Sequence, residues 1–229
     1  MTRKRKALIG CGVVLVGITS ATIAYLQGFW IPNYPNEADF PIRGIDVSHH
    51  QGVIDWGQIP TSKVRFVYIK ATEGGDYQDS SFRENWAGSA KVGTRHGAYH
   101  FFRFGTSGKV QAENFIRTVP IERDALPPAI DLEFGGNAKV RPSVEDFQRE
   151  LGVFVEAIKT AYKTEPIFYV EDNFLDAYMK GFTFQRRWWP SFFFTPGKER
   201  NWDIWQYSER VRLPGIQGFV DADVMKDLH

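Results

Sequence analysis

The sequence has almost no cysteine, no excess of one charge and no internal repeats. Its 229 residues include one cysteine, Cys11, so an internal disulfide and a cysteine-based metal site are both excluded. The formal net charge is +1, so no overall field attracts nucleic acid. The sequence contains no repeated unit, which excludes a repeat architecture and an appended array of binding repeats. We therefore expect no nucleic-acid partner.

Aromatic residues, in contrast, are abundant. The chain contains 19 Phe, 9 Tyr and 7 Trp and is 43% hydrophobic, which is enough apolar material for a packed core and excludes disorder as the main state. A length of 229 residues suits one large domain, or one domain with an appendage.

The N-terminus combines a basic cluster with an apolar run. Residues 3–6 are all Lys or Arg, residues 1–30 contain no acidic residue, and residues 7–26 are uncharged and mostly apolar. About 20 such residues suffice for a helix to cross the hydrocarbon layer, and the basic end is expected in the cytoplasm. We therefore predict that residues 1–30 form a transmembrane signal anchor and that the rest of the chain lies outside the cytoplasm.

Two other interpretations of this segment stay open. Cleavage after Ala24, with Thr22 and Ala24 as the small residues, would release the protein as a secreted form. A lipobox-like stretch ends at Cys11, but too few residues precede it to form a hydrophobic region. All three interpretations export the domain.

A proline-rich segment follows the apolar run. Residues 31–43 contain Pro32, Pro35 and Pro41 and have no apolar period, which is typical of a linker. Residues 44–229 then form the predicted globular domain.

From residue 44 onward, short apolar runs alternate with helical patterns. The clearest helix is 143–162, where apolar residues recur at intervals of three and four behind an expected Ser143 cap. Weaker helices are predicted at 82–92, 109–119 and 173–179. Strands are predicted at 44–48, 64–70, 96–104, 128–134, 166–170, 191–195, 202–207 and 218–221. Eight strands with helices after only some of them predict an irregular parallel β/α barrel, in which chemistry lies at the carboxyl ends of the strands.

Acidic residues lie in or beside several of these apolar strands, where a charge is costly unless it faces a polar cavity. The candidates are Asp46, Asp131, Glu133 and Asp221. Asp131 and Glu133 are two positions apart, so on a strand they project to the same face with Cα atoms roughly 6.5–7 Å apart. Their repulsion raises one pKa and leaves a proton donor beside an anion, the pair that glycosidic cleavage requires.

Structural alternatives to this interpretation stay open. Asp131 could cap a turn while Glu133 pairs with a cation. On the last strand, either Asp221 or Asp223 could be the inward residue.

Five segments resemble glycoside hydrolase family 25, the lysozymes that cleave peptidoglycan. They read GIDVSHHQGVIDW at 44–56, IKATEG at 69–74, GAYHFF at 97–102, AIDLE at 129–133 and WDIWQYS at 202–208. They follow the family's order and span nearly the whole exported domain. The resemblance implies a (β/α)5(β)3 barrel that cleaves the β-1,4 bond between N-acetylmuramic acid and N-acetylglucosamine in peptidoglycan strands. With it we expect no cofactor, no metal and a monomer.

The resemblance also implies roles for the acidic residues. Glu133 would be the general acid, and Asp131 would orient and stabilise the acetamido group of the substrate, whose oxygen attacks so that configuration is retained. Asp46 and Asp221 would complete the acidic floor of the groove. Aromatic rings stack beneath sugar faces, and the implied substrate-binding residues are Tyr99, Tyr169, Trp189, Gln206 and Tyr207. Gln206 either reaches a buried carboxylate or satisfies backbone groups.

Two details bear on these assignments. His49 and His50 are adjacent, and neighbouring residues rarely ligate one ion, so a turn or a substrate contact is expected of them. Pro190 interrupts a segment that the family keeps as an unbroken strand. Because proline has no N–H to donate, the strand is expected to start at Ser191 or to kink at Pro190. The position of the Trp189 side chain depends on which of these occurs.

Two other function classes fit the same fold. One is a catalytically inactive sugar-binding protein, although binding alone does not require a proton donor. The other is a chitinase-like glycosidase, because the Asp-x-Glu logic is shared. The activity of a Glu133→Gln variant and the products from chitin oligomers distinguish these classes from a muramidase.

Overall fold

The computed structural model describes residues 3–197 and 201–227. Residues 1–2 and 228–229, the outer ends of the predicted anchor and of the predicted domain, lie outside the described residues. The helices are α1 (Arg3–Leu26), α2 (Phe82–Lys91), α3 (Gly108–Thr118), α4 (Val144–Tyr162) and α5 (Asp172–Tyr178). The strands are β1 (Ile42–Val47), β2 (Phe66–Glu73), β3 (Tyr77–Gln78), β4 (Arg95–Phe101), β5 (Ala129–Leu132), β6 (Ile167–Val170), β7 (Arg186–Pro190), β8 (Ile204–Val211) and β9 (Val220–Met225).

Eight of the described strands close into a barrel. In the order β1, β2, β4, β5, β6, β7 and β8, each strand pairs in parallel with the next. Strand β9 pairs antiparallel with both β8 and β1 and closes the ring, while β3 extends β2 as a short hairpin. Helices α2 to α5 follow β2, β4, β5 and β6, and a 3-10 turn follows β1. The expected irregular eight-stranded β/α barrel is confirmed, with 3-10 turns in place of a helix after β1.

Helix α4 forms where its apolar period predicts. The Ser143 hydroxyl accepts a hydrogen bond from the Asp146 N–H and so satisfies a free donor at the start of the helix. Phe147, Leu151 and Ile158 lie on one face and are at most 2% exposed. The helix therefore buries one apolar stripe against the barrel and α3.

Large rings fill the amino-terminal half of the barrel. Phe66, Tyr68 and Trp188 are at most 2% exposed. Glycines make room for them, because a Cβ on Gly44 would lie 2.5 Å from the Phe66 ring and one on Gly97 would lie 2.6 Å from the Tyr68 ring. This packed layer closes the barrel from below, so a cavity inside it opens at the carboxyl end of the strands.

The N-terminal segment covers part of the barrel's outer surface. Phe40 packs against the rings of Trp202 and Trp205, with centroid distances of 6.0 and 5.6 Å. The Asn33 side-chain amide donates to the Ser191 carbonyl at 2.6 Å. Residues 31–43, predicted as a linker, thus pack on the barrel, and β1 begins inside that range.

The strand predicted at 191–195 is wrong. Strand β7 ends at Pro190 instead of starting after it. A proline at the last position costs the sheet little, because its missing N–H falls at the end of the ladder. The next donor, the Ser191 N–H, bonds to the Gln206 carbonyl at 3.0 Å.

Helix α1 ends in contact with the barrel. The Arg210 guanidinium donates to the Leu26 carbonyl at 3.4 Å, and the Arg212 guanidinium donates to the Gln27 carbonyl at 3.3 Å. The Tyr25 ring lies 5.7 Å from the Phe193 ring. Within the described residues, no helix has both the length and the apolar character to cross a membrane.

Candidate active site

A cavity of about 360 Å³ opens at the carboxyl ends of the barrel strands. It brings together most of the residues predicted from the sequence. The predicted residues that line it are Asp46, Tyr99, Asp131, Glu133, Tyr169, Gln206 and Asp221. These residues come from strands on opposite sides of the barrel. They are far apart in the chain and become neighbours only because the strands close into a ring.

Asp131 and Glu133 form an acidic pair at the end of β5. Burial, followed by the charges of Glu171 and Glu209, raises the pKa of Glu133 to about 7 against the opposing charge of Lys70. Burial, followed by the charge of Glu133, also raises the pKa of Asp131. The two carboxyls therefore titrate as a pair, because the negative charge of one makes ionisation of the other less favourable.

One oxygen of Asp131 has no partner within the described structure. Its Oδ1 atom is buried, and no hydrogen-bond donor lies within reach. A buried acceptor without a partner is costly, and the cost disappears when a donor arrives. Asp131 is thus prepared to accept a hydrogen bond from a molecule in the cavity.

Asp46 is held by a chain of hydrogen bonds across the barrel. The Gln206 amide donates to Asp46 Oδ2 at 2.8 Å, and the Gln206 carbonyl oxygen accepts from the Tyr169 hydroxyl at 3.0 Å. Gln206 therefore reaches a buried carboxylate. Burial and the nearby charge of Asp223 raise the pKa of Asp46 well above its ordinary value.

Asp221 and Asp223 both point into the barrel, because they are two positions apart on β9. Asp221 lines the cavity and lies opposite Asp46 in the strand register. Burial, followed by the charge of Asp46, raises its pKa to about 9. Asp223 lies one step deeper, opposite Gly44, and is fully buried. Asp221 and Asp223 therefore both face inward, and only Asp221 reaches the cavity.

Side chains of β4 alternate between the cavity and the surrounding helices. Tyr99 and Phe101 face the cavity. His100 faces the helices, where its Nε2 atom lies 3.0 Å from the Gln111 side-chain oxygen and its ring stacks on Phe154. Burial lowers the pKa of His100 to about 3, so it is a neutral core residue.

Two predicted substrate-binding residues require correction. Trp189 and Tyr207 are not among the residues that line this cavity; they pack in an outer cluster with Phe40, Trp202 and Trp205. Strand alternation explains the difference, because Trp188 and Gln206 face inward and their neighbours must face outward. Trp188, whose ring lies 5.4 Å from that of Tyr169, occupies the place expected of Trp189.

Several cavity residues were not predicted from the sequence as site residues. They are Ser48, His50, Lys70, Glu73, Phe101, Trp188, Gly135, Gly136 and Glu209. The Lys70 ammonium donates to one Glu73 carboxylate oxygen at 2.8 Å, and the Arg103 guanidinium donates to the other at 2.9 Å. The sequence carried no local signal that separates Trp188 from Trp189.

His49 and His50 have separate positions. His49 Nδ1 lies 2.7 Å from Asp79 Oδ2, and the His49 backbone N–H donates to the same oxygen at 3.1 Å. His50 stacks on His49 at 4.0 Å and lines the cavity. One histidine therefore fixes the turn after β1, while the other is available for contact with a ligand.

A half-buried carboxyl pair with a raised pKa, in a groove at the carboxyl end of a β/α barrel, defines a glycoside hydrolase. Residues 45–216 match the model of the family described as Glycosyl hydrolases family 25. The chain belongs to glycoside hydrolase family 25.

Relatives in sequence and in structure agree with this membership. The uncharacterized protein YegX of Escherichia coli K12 is 30% identical over 82% of this chain and 70% of its own length. Lysozyme M1 of Streptomyces globisporus is 29% identical over 80% of this chain and 67% of its own length. The structure of a family 25 glycosyl hydrolase from Bacillus anthracis covers 86% of this chain and 94% of its own, with 36% identity and a TM-score of 0.78.

Proposed function

We propose that the protein is a muramidase that cleaves the β-1,4 bond between N-acetylmuramic acid and N-acetylglucosamine in peptidoglycan. The observation that carries this proposal is the pair Asp131 and Glu133 in the cavity, where burial raises the pKa of Glu133 to about 7. A carboxyl with this pKa is still protonated near neutral pH and can donate its proton. The names of the lysozyme relatives support the choice of peptidoglycan as substrate.

In the first step, Glu133 donates its proton to the glycosidic oxygen as the bond from this oxygen to C1 of N-acetylmuramic acid breaks. The acetamido oxygen of the same sugar forms a new bond to C1 and gives a cyclic oxazolinium ion. Asp131 accepts a hydrogen bond from the acetamido N–H through its unpartnered oxygen and balances the positive charge. No carboxylate needs to bond to carbon.

In the second step, the ionised Glu133 takes a proton from a water molecule, whose oxygen attacks C1. The bond between C1 and the acetamido oxygen breaks, and the acetamide and the proton on Glu133 are restored. Two inversions at C1 retain the β configuration. Tyr99 and Tyr169, which are only partly buried, offer ring surface for the apolar faces of the sugars.

The first test identifies the products. Full-length protein in detergent is incubated with purified peptidoglycan, and the new ends are reduced with borohydride and identified by mass spectrometry. We expect new reducing ends of N-acetylmuramic acid. Binding without cleavage would favour an inactive sugar-binding protein, and cleavage of chitin oligomers alone would favour a chitinase-like enzyme.

We also propose that residues 1–30 export the domain and hold it at the membrane. The uncharged run at 7–26 behind the basic cluster supports this assignment, as do the exposed side chains of Val13, Leu15 and Val16 on α1. Packing against the barrel would otherwise bury such residues.

Cell fractionation tests this location. We expect the full-length chain in the membrane fraction, resistant to high salt and released by detergent, because apolar burial in lipid is insensitive to salt. A soluble product that begins after Ala24 would show that the segment is cleaved and the enzyme secreted. Soluble full-length protein inside the cytoplasm would refute the export proposal.

A further inference from the structure

We infer that Asp223, sealed beneath the cavity, is a positioning residue that keeps the negative charge of the floor carboxyls away from the groove. The inference rests on the proposed function, because it assigns Asp223 a part in setting the charge beside Asp131. Asp223 is not among the residues that line the cavity, because it lies buried below the cavity floor.

The geometry isolates Asp223 from solvent and from most donors. Its side chain is fully buried, its Oδ1 atom accepts a hydrogen bond from the Trp188 indole N–H at 2.8 Å, and its Oδ2 atom has no N–H donor within reach. A buried carboxyl cannot be left with an unpaired oxygen at low cost. The available partner is the Asp46 carboxyl, which lies within hydrogen-bonding contact of Asp223.

Three carboxyls therefore form a chain from the groove into the barrel. Asp221 contacts Asp46, and Asp46 contacts Asp223. Two protons satisfy these two contacts: Asp221 donates to Asp46, and Asp46 donates to Asp223. Burial and the charge of Asp221 raise the pKa of Asp223, but it accepts hydrogen bonds from both Trp188 and Asp46, which lower this pKa. Because Asp223 only accepts in this chain, the remaining negative charge lies on it.

The strand register places this charge away from the reacting groups. Asp221 lies opposite Asp46, whereas Asp223 lies opposite Gly44, two residues or roughly 6.5–7 Å further down the barrel. The other titratable and polar groups packed around Asp223 come from β1, β2, β7, β8 and β9; they are Asp46, Tyr68, Trp188, Gln206 and Asp221. None of these is a cation, so the deep charge is held by hydrogen bonds.

The position of the charge matters because Asp131 must ionise to stabilise the oxazolinium ion. A charge on Asp46 acts on Asp131 and raises its pKa. With the charge on Asp223, Asp46 is neutral, and Asp131 ionises at lower pH. Asp223 thus favours the anionic form of Asp131 without touching the substrate.

The test replaces Asp223 by Asn, which keeps the shape and the acceptor for Trp188. The new amide N–H would donate to Asp46 and move the negative charge onto it, next to Asp131. We expect the acidic limb of the kcat–pH profile to move up by about one unit, so that kcat on that limb falls about tenfold, with KM nearly unchanged. At higher pH, where Asp131 is ionised in both proteins, the activity of the variant should recover.

Asp203→Asn is the matched control, because Asp203 bonds to Arg186 and to the Arg187 N–H outside the cavity. It should leave the pH profile in place. An equal loss of kcat at all pH values in Asp223→Asn would mean a merely structural role and overturn the inference. If the wild-type protein releases no muramic ends, the proposed function fails instead, and the two failures are distinguishable.

A measurement without activity covers the case of an inactive variant. In protein labelled with 13C at the aspartate carboxyls, the Asp46 resonance is assigned by its loss in Asp46→Asn. At pH 6 we expect the shift of a protonated Asp46 in the wild type and of an ionised Asp46 in Asp223→Asn. A protonated Asp46 in both proteins would overturn the inference.

Discussion

Replacement of Glu133 by Gln is expected to lower kcat on peptidoglycan by roughly 10³-fold. The amide keeps the size and hydrogen-bonding reach of the side chain but has no proton to give to the leaving oxygen, and positioned general acids contribute about 10² to 10⁴ in rate. The measurement is the release of reducing ends under saturating substrate, so that a change in binding does not enter kcat.

The pH dependence of the wild-type enzyme belongs to the same prediction. Glu133 acts as an acid in its protonated form, and its pKa is raised to about 7, first by burial and then by the charge of Glu171. On the alkaline side of the limb set by Asp131, activity should therefore be lost as the pH rises through about 7. This alkaline limb should be absent from the residual activity of Glu133→Gln.

Glu171→Gln is the matched control for this prediction. Glu171 precedes α5 and does not line the cavity, yet its charge raises the pKa of Glu133. Its removal should leave kcat at low pH intact and move the alkaline limb to lower pH. Full activity in Glu133→Gln would show that another group donates the proton.

The barrel and most of the acidic site were predictable from the sequence because local patterns carry them. The period of α4 and the Ser143 cap are properties of neighbouring residues, and so is the i, i+2 relation that places Asp131 and Glu133 on one face. Tyr99, by contrast, was assigned to the groove by the family resemblance, and it lines the cavity.

The remainder depends on contacts between distant segments. Nothing local to Trp189 distinguishes it from Trp188; only the pairing of β7 between β6 and β8 decides which ring faces inward. The cover that Phe40 gives to Trp202 and Trp205 is equally non-local, and a proline-rich composition does not reveal it. Asp223 acquires its surroundings only when β9 closes the ring beside β1.

Replacement of Asp131 by Asn is expected to give the second largest effect, a loss in kcat of roughly 10² to 10³, the range measured when one preorganised stabilising group is removed from an active site. The buried, unpartnered Oδ1 of Asp131 is suited to the acetamido N–H, whose positive charge develops in the oxazolinium ion. An amide of the same shape still fits the site but carries no charge to balance this ion. KM should change little, because the neutral acetamide of bound substrate does not need that charge.

The role of Asp131 can be separated from that of a covalent nucleophile by rescue. Asp131→Ala is incubated with substrate and azide, and the products are analysed by NMR spectroscopy, with Asp146→Ala at an exposed helix position as the control. If Asp131 orients and stabilises the acetamide, azide should neither restore the rate nor yield an inverted sugar azide. A rescued reaction that gives the α-glycosyl azide would show that the carboxylate itself bonds to C1. In that case the acetamido oxygen would no longer be needed as the nucleophile, and retention would proceed through a glycosyl-enzyme ester.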